Sequence, residues 1–181
     1  MKGIVFSEFN DMVEERFSPE ILDRIISTAN LPSGGAYTAV GTYDHDELLR
    51  LVTRLGEVTG LATADLVKTF GRHLAGRFTS LYPAFFEHVD GTLAFLETIE
   101  AHVHVEVLKL YPDAELPTFE TERPQPDRLQ MTYRSGRPFA DLAEGLILGC
   151  AEYFNEQVTI SRKDSHRNGT YETRFSIHQR R

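Results

Sequence analysis

The 181-residue chain has no tryptophan and only one cysteine, Cys150. A single cysteine cannot form an intrachain disulfide and cannot build a metal site from cysteines alone. The sequence also has no apolar run of membrane-span length and no early charged-then-apolar signal. Positive charge is scarce as well: 19 Lys and Arg stand against 27 Asp and Glu, giving a formal net charge of -8. These features disfavour nucleic acid and membranes as partners and favour a cytoplasmic protein.

Apolar and aromatic residues are plentiful. The chain is 41% hydrophobic and contains 12 Phe and 7 Tyr. A chain of this length can enclose a cofactor-sized cavity within a single core. No internal repeat, low-complexity tract or long linker divides the sequence, so we expect one domain over residues 1–181.

The N-terminal part carries helix signals. Ser18 followed by Pro19 is typical of a helix start, with serine as the cap and proline in the first turn. Residues 44–59 and 63–78 carry apolar side chains at helical spacing, and Thr63 is placed to cap the second of these helices. Another helix is predicted over about 92–110, because apolar residues recur there at spacings of 3, 4, 4 and 3: Leu96, Ile99, Val103, Val107 and Leu110.

Pro112 ends this helical pattern, and strand signals follow it. Four strands are predicted, over residues 118–123, 129–135, 157–160 and 170–178. A helix is predicted between the second and third strands, over 138–154, and the last two strands form a hairpin around Asn168-Gly169. The fold class is therefore α+β: a helical N-terminal part followed by a small antiparallel sheet with helices.

The segment around His104 is the most informative. His104 stands seven residues before Tyr111-Pro112 and thirteen before Pro117. His102 and Glu106 flank it, in a His-x-His-x-Glu pattern that alternates with valines. On a strand, all three polar side chains would share one face and could form a two-histidine, one-carboxylate iron site.

The flanking residues favour a helix instead, because the apolar stripe passes straight through this segment. On a helix, residues two apart lie about 200° apart, so His102 and His104 would point to nearly opposite sides. His104 has Val107, Leu108 and Tyr111 at helical spacing, which is an apolar environment. His102 has polar neighbours and is predicted to lie at the surface or beside the ligand-binding residue.

A second pattern, Tyr-x-Ser-x-Arg, is formed by Tyr133, Ser135 and Arg137. On a strand these three side chains would share one face, because side chains alternate with a period of two. They offer two hydroxyls and a guanidinium, all of them donors suited to carboxylates. One axial nitrogen together with a cluster of carboxylate-binding groups suits a ligand that is both a metal complex and a dicarboxylate, namely haem.

In these patterns the chain resembles the H-NOX family, the haem-based domains of bacterial gas sensors and of soluble guanylate cyclase that bind nitric oxide or dioxygen. The opening residues 1–6 and the segment 31–37 also look like that family, and the resemblance extends from residue 1 to about residue 160. It implies a haem b (iron protoporphyrin IX) buried between the helices and the sheet. His104 would be the axial iron ligand, and Tyr133, Ser135 and Arg137 would hold the propionates.

The resemblance also implies roles for apolar residues. Pro117 stands where the family places a proline against the porphyrin, which helps to distort the macrocycle. The distal pocket would be lined by Val5, Phe9, Leu74, Phe78 and Leu142. Family members that hold dioxygen place a tyrosine nine residues after the clamp tyrosine, at the position of Leu142 here. An apolar pocket favours nitric oxide over dioxygen, although the phenol of Tyr82 could reach into it.

A structural zinc, which several bacterial relatives bind, is not expected. The matching region 164–170 has no cysteine, and Phe139 stands where those relatives place one. Cys150 and His166 alone cannot complete a four-ligand zinc site.

The leading hypothesis is thus a nitric oxide sensor without enzymatic activity, which also binds carbon monoxide. The resemblance implies that nitric oxide weakens or breaks the Fe–His104 bond and so alters the surface shown to a partner, either a histidine kinase or a cyclic-di-nucleotide enzyme. The alternatives are a non-haem iron metalloenzyme using His102, His104 and Glu106, and a haem-free assembly module of the same fold.

Overall fold

The N-terminal half of the chain is helical in the computed structural model, which describes residues 1–180. Four helices come first: α1 Gly3–Arg16, α2 Pro19–Thr28, α3 His45–Thr59 and α4 Thr63–Leu81. The Ser18 cap follows the sequence signal, because its side chain accepts from the Ile21 N–H. Asp44, predicted as the start of a helix, caps α3 instead, because its side chain accepts from the Asp46 N–H. Thr63 is the first residue of α4 rather than its cap, which corrects the predicted start.

Helix α1 was not among the predicted elements. Its buried side chains nevertheless recur at the spacing of one helical face, and they are fully buried: Phe6, Phe9, Met12 and Val13. The helix starts at a glycine without a side-chain cap, because Lys2 precedes it and makes no such bond. Without a capping signal, the pattern of the first residues did not separate a helix from an extended segment.

The predicted helix over 92–110 is helical throughout but not regular. It consists of α5 Thr92–Thr98, a π-helical segment Ile99–Val103 and α6 His104–Leu110. A π-helical turn is wider than an α-helical turn and shifts the side chains that follow it around the helix axis. The apolar stripe correctly predicted helix, but its spacing did not reveal the wider turn that comes directly before His104.

A four-stranded antiparallel sheet follows, as predicted, and its strand order is β1-β2-β4-β3. The strands are β1 Thr118–Gln125, β2 Arg128–Ser135, β3 Gln157–Arg167 and β4 Thr170–Arg180, and α7 Ala140–Tyr153 lies between β2 and β3. Strand β3 extends seven residues past its predicted end at residue 160. The final hairpin turns at Asn168 and Gly169, both with positive φ, as a tight two-residue turn requires.

The core has two parts that meet along α4 and α7. Side chains from α1 to α4 form the first part, and side chains from α5, the sheet and α7 form the second. Helix α4 packs extensively against α7, while the π-helical segment packs against β1. Of the helices within residues 1–180, none has both the length and the apolar character that crossing a bilayer requires.

Candidate functional site

A large cavity lies between the N-terminal helices, α7, the sheet and the segment that carries His104. Its volume is about 780 Å³. This falls within the range of roughly 300–1,000 Å³ that is usual for small-molecule and cofactor sites. The cavity lining combines apolar side chains with a few convergent polar groups, and those polar groups lie mainly in the segments that follow α6 and β2 and around residues 42–45.

His104 lines this cavity and is fixed by a hydrogen bond on its outer side. Its Nδ1 lies 3.2 Å from Glu100 Oε2, and its side chain is 14% exposed. Burial lowers the pKa of His104, which is only partly offset by the nearby Glu100 carboxylate. Because Nδ1 is engaged with Glu100, Nε2 is the nitrogen available to a ligand in the cavity, and the imidazole is kept neutral as a metal ligand requires.

His102 and Glu106 do not join His104 at a common site. His102 is exposed and lies edge-on to Phe85, with ring centroids 6.0 Å apart. The Glu106 carboxylate pairs with Lys109 at 2.5 Å. Residues 104–110 are α-helical rather than extended, so the strand geometry that the iron metalloenzyme hypothesis requires is not present.

A different trio brings metal-binding atoms together. Within residues 1–180, potential ligand atoms of three neighbouring side chains come within 4.8 Å of one another at Asp44, His45 and Asp46. The two nitrogens of His45 point to different carboxylates, with Nδ1 3.3 Å from Asp44 and Nε2 3.5 Å from Asp46. Asp44 and His45 also line the cavity, and the trio is distinct from the predicted two-histidine site.

Tyr133, Ser135 and Arg137 all line the cavity, and they are bonded to one another. Ser135 Oγ accepts the Arg137 N–H at 3.1 Å, and the Tyr133 hydroxyl donates to the Arg137 carbonyl at 3.4 Å. Burial raises the pKa of Tyr133, so the phenol stays protonated and remains a donor. Arg137 lies beyond the end of β2, so the three residues do not share one strand face as predicted. The turn through Gly136 nevertheless brings Arg137 to the cavity.

The Arg137 guanidinium is held by Glu115, in the loop after α6. One nitrogen donates to the Glu115 carbonyl at 3.2 Å, and the other contacts the Glu115 carboxylate. The Arg137 side chain is 17% exposed, whereas that of Glu115 is 78% exposed. The guanidinium thus lies at the cavity edge, and the Glu115 carboxylate that pairs with it is largely exposed to solvent.

A second polar cluster ties the N-terminus to the same loop. Lys2 Nζ lies 2.9 Å from the Thr42 hydroxyl and 3.0 Å from Asp113, and it lies over the Tyr111 ring, 5.4 Å from the centroid. Hydrogen bonding to Lys2 and Thr42 lowers the pKa of Asp113. These contacts connect the start of α1 to the chain that follows the His104 helix.

The wall formed by α1, α4 and α7 is apolar. Of the predicted distal residues, Val5, Leu74, Phe78 and Leu142 line the cavity. Phe9 does not: it is fully buried and packs edge-on against Phe70, with centroids 5.2 Å apart. Its helix turns it toward α4, into the core behind the cavity wall.

Cys150 also lies in this wall. It is buried, and its pKa is raised to about 12 because desolvation penalises the thiolate. It therefore remains a thiol, which is a weak hydrogen-bond donor. The thiol is the one polar group of the wall that the three helices themselves contribute among residues 1–180.

Tyr82 lies just past the end of α4 and lines the cavity. Burial raises the pKa of Tyr82, and the neighbouring Tyr111 side chain raises it further. The Tyr82 ring packs against Phe78 and Phe85, with ring centroids 6.0 Å and 5.8 Å away. Tyr111 follows α6, so the end of α4 lies close to the end of the helix that carries His104.

Pro117 lines the cavity as predicted, directly before β1. Phe119, two residues later, packs against His104 with ring centroids 5.6 Å apart. The two positions compared with the zinc-binding relatives lie in different parts of the fold. Phe139 is buried beside His45, whereas His166 stacks on Tyr171 in the final hairpin.

Sequence reasoning missed several site residues. Glu100, Glu115, Lys2 and Asp113 lie in or beside segments that the sequence singled out, but nothing in those patterns assigns a role to these charged side chains. What could have identified Glu100 is its position four residues before His104, where a helix brings side chains together.

The residues present fit haem. The apolar walls suit a porphyrin, the single neutral imidazole suits one axial position on iron, and the guanidinium and two hydroxyls at one edge suit two carboxylates. All of these groups converge on one cavity. A lone metal ion would not require the apolar walls, and an uncharged apolar ligand would not require the guanidinium and the imidazole.

Comparisons with known proteins agree with this assignment. Residues 2–162 match a protein family described as Haem-NO-binding. The structure is similar to the unliganded Fe(II) H-NOX protein from K. algicida, with 38% sequence identity, a TM-score of 0.92 and coverage of 100% of this chain and 97% of that chain. A mutant of that same protein gives 39% identity, the same TM-score and the same coverage.

A mutant of T. Tengcongensis H-NOX is also similar, with a TM-score of 0.90, 21% identity and coverage of 100% of this chain and 98% of that chain. At this identity the likeness concerns the fold alone. No curated protein sequence matches the chain.

Proposed function

The chain belongs to the Haem-NO-binding (H-NOX) family of haem-based gas sensor domains, and from this membership we propose that it binds haem b through His104 and senses nitric oxide rather than dioxygen. Residues 1–181 form one sensor domain in this proposal, acting in the cytoplasm without catalysis of its own. Carbon monoxide is a second ligand of the same ferrous iron.

The residues that hold the cofactor are those of the cavity. His104 Nε2 would hold the iron, and Arg137, Ser135 and Tyr133 would bind the propionates. Pro117 would contact the macrocycle. Bound haem would supply a ferrous iron that binds nitric oxide or carbon monoxide, and nitric oxide would weaken the bond between iron and His104.

The preference for nitric oxide is supported by the apolar wall of Val5, Leu74, Phe78 and Leu142. Dioxygen on ferrous haem gathers negative charge and persists when a donor stabilises it, whereas nitric oxide depends far less on such a donor. A hydrogen bond to a charged group contributes about 1.5–3 kcal/mol, and none of these four side chains has a donor that could supply it. The Tyr82 ring packs against Phe78 and Phe85 at the end of α4.

The signal starts at His104 in this proposal. A weaker bond to iron would leave His104 and α6 free to move away from the cavity. Tyr111 would move with α6, and its contact with Lys2 would carry the displacement to the start of α1. Nitric oxide shifts the balance between the two arrangements of the protein because it binds one of them more tightly than the other.

The receiver is a separate protein in this proposal, either a histidine kinase or a cyclic-di-nucleotide enzyme. Exposed apolar side chains on α6, Val105 and Leu108, lie on the element that is expected to move. An activity assay of a candidate histidine kinase or cyclic-di-nucleotide enzyme tests this part of the proposal. It compares the enzyme alone, with the haem-loaded protein, and with the protein treated with nitric oxide.

Absorption spectroscopy of the purified ferrous protein tests the proposal. We expect a haem spectrum that changes with nitric oxide and with carbon monoxide and does not change to a stable oxygenated form in air. A long-lived oxygenated spectrum would contradict the nitric oxide assignment and would point to Tyr82 as a donor. A colourless protein after growth with added haem would contradict the cofactor assignment itself.

A further inference from the structure

The carboxylate of Glu100 has a specific relation to His104. The two residues are joined by the π-helical segment Ile99–Val103, and the His104 N–H bonds to the Ile99 carbonyl five residues earlier. Wider turns of this kind recur at functional sites. Here the turn places Glu100 so that its carboxylate reaches the outer nitrogen of the His104 ring.

One oxygen of Glu100 makes two contacts. Glu100 Oε2 lies 3.2 Å from His104 Nδ1 and accepts the Phe119 N–H at 3.0 Å. The carboxylate thus links the imidazole to the second residue of β1. Because Phe119 also packs against the His104 ring, the imidazole is held both through its nitrogen and through its face.

No Lys or Arg within residues 1–180 forms an ion pair with Glu100. Neighbouring carboxylates do have such partners: Glu97 pairs with Arg123, and Glu106 pairs with Lys109. The negative charge of Glu100 is therefore directed to the imidazole and one amide. Its side chain is 47% exposed, so water reaches the carboxylate as well.

The contact fixes the state of the imidazole. An ionised carboxylate only accepts hydrogen bonds, so the proton of the neutral ring lies on Nδ1 and the lone pair on Nε2. That lone pair is directed at the cavity. A carboxylate that accepts from the outer nitrogen of a metal-bound histidine also makes the ring a stronger electron donor to the metal.

We propose that Glu100 is a positioning residue for His104 that strengthens the bond between this histidine and iron. The inference rests on the proposed function, since it requires haem bound at Nε2. Its consequence concerns signalling: Glu100 opposes the release of His104, so this carboxylate sets how much of the protein loses the bond when nitric oxide binds.

The test compares Glu100→Gln and Glu100→Ala with Glu97→Gln as a control. Gln keeps the size of the side chain and removes its charge, while Ala removes the acceptor. The control removes a carboxylate charge one turn earlier, from a residue that contacts neither His104 nor β1 at Phe119. Resonance Raman spectroscopy of the ferrous protein measures the Fe–His stretching frequency directly.

We expect the frequency to fall in Glu100→Gln and to fall further in Glu100→Ala, with no change in Glu97→Gln. The haem reduction potential should rise in the same order, because a weaker donor stabilises ferric iron less. Transfer of haem to apomyoglobin should be about tenfold faster in Glu100→Ala, the lower end of the usual cost of losing such a partner. When nitric oxide binds, the Fe–His bond should break in a larger fraction of the molecules of each Glu100 variant than of the unchanged protein.

A purely structural role for Glu100 predicts a different outcome. The variants would then unfold at a lower temperature, but the Fe–His frequency and the reduction potential would match those of the unchanged protein, and this result would overturn the inference. Failure of the proposed function is distinguishable, because His104→Gly would then leave the haem spectrum unaltered. If His104 proves to be the ligand and the Glu100 variants keep the original frequency, only the inference fails.

Discussion

Gly71 of α4 and Gly145 of α7 lie against each other where these two helices cross. A Cβ atom on Gly71 would lie 2.8 Å from the Gly145 Cα, and one on Gly145 would lie 2.9 Å from the Gly71 Cα. Both distances are shorter than real Cβ atoms show. The pair therefore sets how closely the distal helix α4 approaches α7, and both helices form the apolar wall of the cavity.

Gly71→Ala should destabilise the protein, because the added methyl group meets backbone atoms that cannot rotate away. Overpacking of this kind costs about 1–3 kcal/mol in the free energy of unfolding. Gly76→Ala on the same helix is the matched control, since nothing lies within 4 Å of its Cβ position. The control should be stabilised by roughly 1 kcal/mol through helix propensity. Urea denaturation measures both, and an equal effect of the two changes would contradict the close crossing.

His104→Gly should remove the protein's bond to iron, so that haem binding depends on added imidazole. His102→Ala is the control and should leave the spectrum nearly unchanged, because this residue is exposed and is not among those that line the cavity. Absorption spectra with and without imidazole provide the measurement. If the two variants behaved the other way round, the axial ligand would be His102.

Arg137→Ala should weaken haem retention more than Ser135→Ala. A guanidinium forms charge-assisted bonds to a carboxylate that are about twice as strong as a neutral hydrogen bond. We expect haem transfer to apomyoglobin to be at least about tenfold faster for Arg137→Ala, which corresponds to roughly 1.4 kcal/mol. Negligible effects of both changes would show that the propionates bind elsewhere.

Glu115→Gln should slow haem loss. The Glu115 carboxylate occupies the same guanidinium that the propionates need, and its negative charge repels theirs. Removing the charge leaves Arg137 free for the cofactor. Glu120→Gln is a suitable control because Glu120 pairs with Arg134 on the sheet, away from the cavity. The haem transfer rate is the measurement, and faster loss in Glu115→Gln would mean that Glu115 positions Arg137 instead of competing for it.

Leu142→Tyr should increase the affinity for dioxygen, but only in part. The change adds a phenol donor at the position where the resemblance implies a tyrosine in dioxygen-binding members, within a wall that was not shaped for a tyrosine. Oxygen titration of the ferrous variant followed by absorption measures the gain. Leu142→Phe is the control, since it adds the ring without the hydroxyl. Equal oxygen affinities of the two variants would show that the hydroxyl does not reach the ligand.

The fold could be predicted from the sequence wherever local signals agree with the tertiary structure. Ser18-Pro19 and Asp44 mark helix starts, and Asn168-Gly169 marks a hairpin. Each of these signals depends only on the backbone conformation or the backbone hydrogen bonds of a few neighbouring residues. The resemblance and the residue spacing placed the apolar residues of the cavity correctly, except for Phe9, which lies in the core behind the cavity wall. Its neighbours on the chain do not reveal that α1 turns it toward Phe70.

The charged part of the site could not be predicted in the same way. Glu115 meets Arg137 across 22 residues, and Lys2 meets Asp113 across 111 residues. Such pairs form only once the loop after α6 is placed between α1 and the sheet. The π-helical turn before His104 packs against β1, a contact between distant parts of the chain, and the sequence periodicity predicted helix there without its irregularity.

Cys150 has a practical consequence for following the helices as they move. Buried in the cavity wall with its pKa raised to about 12, this thiol is a poor target for labelling reagents, which react with exposed thiolates. Since the chain has no other cysteine, two cysteines introduced at exposed positions would be the only reactive ones. Spin labels on α4 and α6 would then report the distance between these helices before and after nitric oxide, without first removing a native cysteine.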